Sequence, residues 1–277
     1  AHAVPLRERI LLVVLYVTVL MSSVAFIEPS PHDALMGVLA VTCLVAGVRF
    51  ERILALPLLL LLVWNVAGFM SLVNVVGEEK TVQYAATSVY LAVAALLFAC
   101  LFVQNTMARM ATMRAAYVLT AVLVALAGIS GYFRLFPGAD MFAPLGRALG
   151  AFKDPNVFGP FLIWPALVVI ERMLVRRIRI ADVMIVGIML FGLLLSFSRG
   201  AWFHFAVSCA VMIGLAFLAA PTQALRLRIF SISVVGIVAL ASFIAILLSF
   251  EAISSMFQER ANLFNSYDVG DGGRFTL

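Results

Sequence analysis

Several stretches of this chain contain no charged residue over a length that could cross a lipid bilayer, among them 53–76, 82–103 and 229–250. A membrane-spanning helix needs about 20 mostly apolar residues. These stretches are continuously apolar rather than alternating, which disfavours the strands of a membrane barrel. The whole chain is 64% hydrophobic and 12% charged, whereas a soluble domain is about 45–50% apolar and about 25% charged. The sequence therefore predicts helices that lie in lipid.

In total, nine apolar segments predict an all-α polytopic membrane protein with about nine transmembrane helices. Within a few residues, the segments are 10–27, 34–48, 53–76, 82–103, 115–133, 156–170, 181–197, 201–220 and 229–250. The second and sixth are the shortest. We expect residues 1–277 to form a single transmembrane helical domain, with 251–277 as the start of an outer loop. We also expect it to be the N-terminal part of a longer protein.

The distribution of basic residues predicts an orientation. Positive charges favour the cytoplasmic side of a membrane protein, and with the N-terminus inside most lysines and arginines fall in inner loops. The exceptions on the outer side are Lys80, Arg134, Arg147, Lys153, Arg199, Arg260 and Arg274. The alternation predicts a cytoplasmic N-terminus and places Leu277 outside. The net charge of +5 then reflects topology rather than nucleic-acid binding.

The first outer stretch that could carry chemistry is GAFKDPNVFGPF, residues 150–161. Asp154 is a good N-cap and Pro155 suits the first helical position, so a helix should start there. A helix N-terminus attracts anions, and Lys153 adds a cation beside it. The alternative is an ordinary capped helix, kinked by its two internal prolines.

The second stretch is SFSRGAW, residues 196–202. Arg199 falls at the outer end of the seventh segment, Gly200 would allow a tight turn or a close helix approach, and Trp202 fits an interfacial aromatic belt. Arg199 either ends a helix by snorkelling to the membrane surface or lines a polar cavity that faces outward. Ionisable residues at membrane depth usually mark functional sites, and the planar guanidinium suits phosphate.

The third stretch is FQERANLFNSYDVGDGGRF, residues 257–275. Its first half predicts an amphipathic helix on the outer membrane surface, and its glycine-rich second half leads to Arg274. The alternative is a flexible outer loop.

A few polar residues within the spans carry predictions of their own. Asn65 should bond across helices, and His204 is expected to be a neutral, hydrogen-bonded packing residue. No cluster in the sequence has metal-ligand spacing. No Asp or Glu lies in the middle of a span, which disfavours a proton-coupled carrier.

Taken together, KDPNVFGPF, LLLSFSRGAW and SYDVGDGGRF resemble, in order and spacing, the O-antigen ligase and O-antigen polymerase superfamily of bacterial inner-membrane proteins. The hydropathy is similar along essentially the whole chain. The resemblance implies a helical fold like the GT-C class of lipid-phosphosugar glycosyltransferases. It also implies transfer of a glycan from an undecaprenyl-diphosphate-linked donor to an acceptor hydroxyl at the periplasmic face, without a metal or other cofactor.

The resemblance also assigns roles to residues. Arg199 and Arg274 would hold the donor diphosphate, Lys153, Asp154 and Asn156 would line the same cavity, and Arg147 is a nearby candidate. The acceptor would be lipid A–core for a ligase or another lipid-linked glycan for a polymerase, and the motifs do not separate the two.

The chain departs from the family pattern in one respect. The family carries a histidine, the general base, in a large periplasmic loop after the GGR region, and no histidine here matches it. We therefore expect that base beyond Leu277, with this segment lacking the complete catalytic centre. The rival functions are a polytopic transporter or lipid-linked glycan flippase, and a non-catalytic assembly partner.

Overall fold

A computed structural model describes residues 5–72, 79–144, 146–251, 254–255 and 257–258. Over these residues the chain forms α-helices, most of them joined by short connections, with a longer connection over residues 134–154. The helices are α1 (Leu6–Leu20), α2 (Pro31–Ala46), α3 (Ala55–Leu72), α4 (Glu79–Val103), α5 (Thr106–Phe133), α6 (Pro155–Val175), α7 (Ile180–Leu195), α8 (Arg199–Ala219) and α9 (Gln223–Leu248).

Each predicted apolar segment coincides with one of these helices, which confirms the all-helical prediction. Among the described residues, six helices are long and apolar enough to cross a membrane. The other three, α1, α2 and α7, have only 15 or 16 residues, so the count of nine spans stays a prediction. The prediction of a short sixth segment is wrong, because α6 runs for 21 residues through Pro160 and Pro165.

The exposure of the apolar helices indicates what surrounds them. In the most apolar windows of α3, α4 and α9, only 6% of residues are buried inside the protein. Leu60, Trp64, Leu91 and Ile237 are each at least 59% exposed. Apolar surface of this extent is unfavourable in water. We conclude that the chain is a multi-pass membrane protein.

The chain divides into two compact units. Unit 1 contains residues 1–22 and 29–116, and unit 2 contains residues 23–28 and 117–277. In unit 1, α1 packs on α2 and α3 on α4. The Ser88 hydroxyl donates a 3.0 Å hydrogen bond to the Asn65 side-chain carbonyl, which confirms the predicted bond across helices.

In unit 2, α6 packs against α7, α8 and α9. The core contains fully buried large side chains, among them Phe158, Leu162, Met189 and Phe197. A glycine on α6 lets its backbone approach the next helices closely. A methyl group on Gly159 would lie 2.8 Å from Ala201 Cβ and 3.0 Å from the Ser196 hydroxyl.

Candidate functional site

One end of unit 2 gathers the start of α6, the end of α7 and the start of α8. The start of α6 is as predicted. The Asp154 carboxylate accepts a 2.7 Å hydrogen bond from the Asn156 backbone N–H, and Pro155 occupies the first turn. The cap leaves Asn156 exposed at the helix end, where its side chain is available to a neighbouring group.

The turn from α7 into α8 is formed by residues 196–198. Phe197 adopts a left-handed backbone with φ of 47°, which is costly for a bulky residue and persists only where surrounding contacts fix it. Its side chain is fully buried, and Ser196 Oγ accepts a 3.3 Å hydrogen bond from the Ser198 N–H. The turn is therefore held by burial and hydrogen bonding.

The expectation for Gly200 is wrong. This glycine does not have a positive φ, and a methyl group added to it would meet nothing within 4 Å. The tight turn is made by Phe197, and the close helix approach is made by Gly159. The sequence alone did not assign these roles to Phe197 and Gly159, because both roles depend on tertiary packing.

Arg147 binds directly to this turn. Its Nε donates to the Ser196 carbonyl at 2.9 Å and its Nη2 to the Phe197 carbonyl at 3.4 Å. The last carbonyls of a helix have no partner within the helix, and a basic side chain can bind them. The same Nη2 donates to Asn156 Oδ1 at 3.2 Å. Arg147 thereby joins the end of α7 to the start of α6.

Arg199 is the first residue of α8 and is half-buried. Its Cα lies two residues from Phe197, at most ~7.6 Å from it along the chain, and Arg147 binds the Phe197 carbonyl. Arg147 and Asn156 are thus in contact at one end of unit 2, and Arg199 follows two residues after the carbonyl that Arg147 binds. Two arginines therefore lie near the N-termini of α6 and α8, where guanidinium groups and helix starts both favour an anion.

Lys153 forms an ion pair with Glu28. The short segment 23–28 reaches it because the Ala25 N–H donates to the Ala151 carbonyl at 2.9 Å and the Ser23 and Thr120 hydroxyls are 2.7 Å apart. The sequence analysis missed Glu28, since the two charges are 125 residues apart and nothing local signals the pairing.

An apolar groove lies beside Arg199. It has a volume of about 260 Å³ and lies among α7, α8 and α9. Trp202, one turn beyond Arg199, lines it, stacks on Phe257 at 5.2 Å and donates from its indole N–H to the Leu193 carbonyl. An apolar groove therefore begins one helical turn along α8 from Arg199, near the arginine-rich end of unit 2 where Arg147 and Arg199 lie.

The structure tests the prediction for His204 but not the prediction for Arg274. His204 is exposed and makes no hydrogen bond within the described part of the chain, so the packing role predicted for it is wrong. Arg274 lies outside the described residues, as does most of the predicted outer helix before it. The proposed role of Arg274 stays a prediction.

Comparisons of the chain with protein-family models, curated proteins and solved structures gave no match. Function must therefore be argued from the site and from the motifs. Among the described residues, no group of three or more His, Cys, Asp or Glu side chains could hold a metal ion.

Proposed function

We propose that the chain belongs to a bacterial inner-membrane glycosyltransferase that resembles O-antigen ligases and polymerases. It would transfer a glycan from an undecaprenyl-diphosphate-linked donor to an acceptor hydroxyl at the periplasmic face. The acceptor would be lipid A–core or another lipid-linked glycan. The observation that supports the proposal most directly is that Arg147 hydrogen-bonds both to Asn156 and to the turn that precedes Arg199, at one end of unit 2.

The arginines suit the diphosphate chemically. Arginine offers a planar fork that binds phosphate oxygens in pairs and stays charged at any physiological pH. Arg199 is placed by the start of α8 and the Phe197 turn, and Arg147, in the connection between α5 and α6, is held by its hydrogen bonds to Ser196, Phe197 and Asn156. Preorganised charge of this kind stabilises negative charge most effectively where water is sparse.

The apolar groove suits the rest of the donor. A polyprenyl diphosphate has a charged head and a long hydrocarbon tail. The groove at Trp202 begins one helical turn from Arg199, so a head bound at the arginines could leave its first isoprene units in that groove. A soluble diphosphate has no hydrocarbon tail that could bind in this groove.

The chemistry assigns a limited role to the described residues. An acceptor hydroxyl would attack the anomeric carbon, and the bond from that carbon to the diphosphate oxygen would break with inversion. Negative charge then grows on the leaving diphosphate, where Arg199 would stabilise it. The role of base, which takes the acceptor proton, is assigned to none of the described residues.

The test uses the full-length gene in its bacterial host, deleted and restored with wild type, Arg199→Ala or Arg134→Ala. Arg134 is the matched control, an exposed arginine that follows directly after α5 and lies on the same predicted side of the membrane. Membrane abundance is measured first, and then the surface glycan profile and the lipid-linked pool.

We expect Arg199→Ala to lose the surface product and to accumulate lipid-linked glycan, while Arg134→Ala resembles wild type. Accumulation of finished polymer would indicate a ligase, and accumulation of single repeats a polymerase. A normal profile for Arg199→Ala would refute the diphosphate role. Accumulation confined to the cytoplasmic leaflet would instead indicate the flippase alternative.

A further inference from the structure

A second arginine cluster lies at the other end of α6, in its last turn and in the four-residue connection to α7. Arg172, Arg176, Arg177 and Arg179 line an open cavity of about 610 Å³, together with Asp182. Its volume is within the range of small-ligand sites, roughly 300–1,000 Å³. Neither the three motifs nor the proposed transferase chemistry uses this cluster.

The positive charges that line the cavity outnumber its single negative charge. Asp182 is buried and pairs with Arg172, which leaves three arginines in the lining. Arg176, Arg177 and Arg179 are exposed, and their side chains make no hydrogen bond or ion pair within the described part of the chain. Like charges held this close repel one another, so an anion bound among them would be stabilising.

The backbone of the cluster is fixed in place. Arg228 at the start of α9 donates to the Met173 carbonyl at 3.3 Å and also to the Arg176 carbonyl. The unpaired carbonyls at the end of α6 are therefore satisfied by Arg228. This leaves the lining guanidinium groups available to a ligand.

The neighbouring side chains indicate what kind of anion fits. Val175, Ile178 and Ile180 alternate with the arginines and are 45%, 42% and 77% exposed. A site for a soluble anion would not place exposed isoleucines between its cations. Arginines mixed with exposed aliphatic side chains at the end of a membrane-length helix match a phospholipid, whose phosphate and acyl chains are adjacent.

We propose that this cavity binds the headgroup phosphate of an anionic phospholipid. The guanidinium groups of Arg176, Arg177 and Arg179 hold the phosphate, and the exposed aliphatic side chains contact its acyl chains. The inference is independent of the transferase proposal, because it concerns the opposite end of α6.

The test measures lipid binding by the full chain, purified in a neutral detergent. The probes are phosphatidylglycerol and phosphatidylcholine with the same acyl chains, each titrated and followed by native mass spectrometry. One variant changes Arg176, Arg177 and Arg179 to glutamine. The matched control changes three other exposed basic residues, Arg7, Arg49 and Arg52, to glutamine.

We expect wild type to prefer phosphatidylglycerol at least tenfold. The cavity variant should lose about fivefold in affinity for each arginine removed, and the control should stay within twofold of wild type. Equal binding of the two lipids by wild type would overturn the proposal, as would equal losses in the two variants. Glycerol phosphate is the third probe, and binding as tight as that of phosphatidylglycerol would assign the site to a soluble phosphate instead.

Discussion

At the scale of single residues, the arginine-rich end of unit 2 depends on two positions that carry no charge. Phe197 supplies the left-handed turn that ends α7, and Gly159 lets α6 lie against the start of α8. Arg199 is the first residue of α8, so its position follows from both. Substitutions at these positions should act on the site without changing any group that contacts a ligand.

Gly159→Ala should destabilise unit 2 because the new methyl group would lie 2.8 Å from Ala201 Cβ, and neither atom can rotate away. Overpacking of this kind costs about 1–3 kcal/mol. We expect a lower melting temperature in detergent. Gly200→Ala is the control, since its methyl group meets no atom within 4 Å and alanine favours a helix. A Gly159→Ala protein as stable as wild type would contradict this account of the packing.

A second residue-scale prediction concerns Glu8 in unit 1. The Arg109 side chain donates to both Glu8 oxygens, at 3.0 and 2.9 Å, and these hydrogen bonds lower the pKa of Glu8 despite its partial burial. Arg109 is almost fully buried, so Glu8→Gln leaves its charge uncompensated. We expect a loss of about 3 kcal/mol. Glu51→Gln, at an exposed carboxylate, should have little effect on the melting temperature.

The same pair predicts a dependence on pH. The pKa of Glu8 is lower in the folded protein than in the unfolded chain, so its contribution to stability is complete above the unfolded value, near 4.5. It is lost as the pH falls through the lower, folded value. The melting-temperature difference between wild type and Glu8→Gln should therefore shrink below about pH 4.5. A difference that stays constant down to pH 3 would show that the charge of Glu8 is not what stabilises the fold.

At the scale of elements, the helices were predictable, whereas most contacts between them were not, the bond of Asn65 across helices being an exception. Long apolar runs with caps such as Asp154 identify helices because both signals are local in sequence. The length of α6 was underestimated because the predicted segment ends before the charged residues Glu171 and Arg172, whereas the helix continues to Val175. Local signals likewise could not reveal the link from Arg147 to the end of α7 or the pairing of Lys153 with Glu28. These contacts join residues 49 and 125 positions apart.

Substitutions of Asp154, the cap of α6, can distinguish a role in stability from a role in glycan transfer. Asp154→Ala removes the acceptor for the Asn156 N–H and should cost about 1 kcal/mol. Asp154→Asn keeps an acceptor and should be close to wild type in melting temperature. If Asp154 serves only as a cap, glycan transfer in cells should follow melting temperature in both variants. Loss of transfer by a stable Asp154→Asn protein would instead give the carboxylate a role at the donor.

At the scale of the whole molecule, the orientation in the membrane can be tested by labelling. Cys43, Cys100 and Cys209 are first replaced by serine, and one cysteine is introduced at exposed Met141 or exposed Gln223. With the N-terminus cytoplasmic, a membrane-impermeant maleimide added to intact spheroplasts should label Met141→Cys. Gln223→Cys should react only after the membrane is opened. The reverse pattern would invert the predicted topology and move Arg199 to the cytoplasm.

The division into two units does not follow the order of the chain. Residues 23–28 belong to unit 2, yet they precede most of unit 1. The Glu28 partner, Lys153, is synthesised 125 residues later, which corresponds to roughly 6–25 s at ribosomal rates of 5–20 residues per second. During that interval residues 23–28 cannot yet contact Lys153, while the four helices α2 to α5 are synthesised. Docking of residues 23–28 is therefore expected to follow the synthesis of α2 to α5, and mutation of Glu28 should weaken that step.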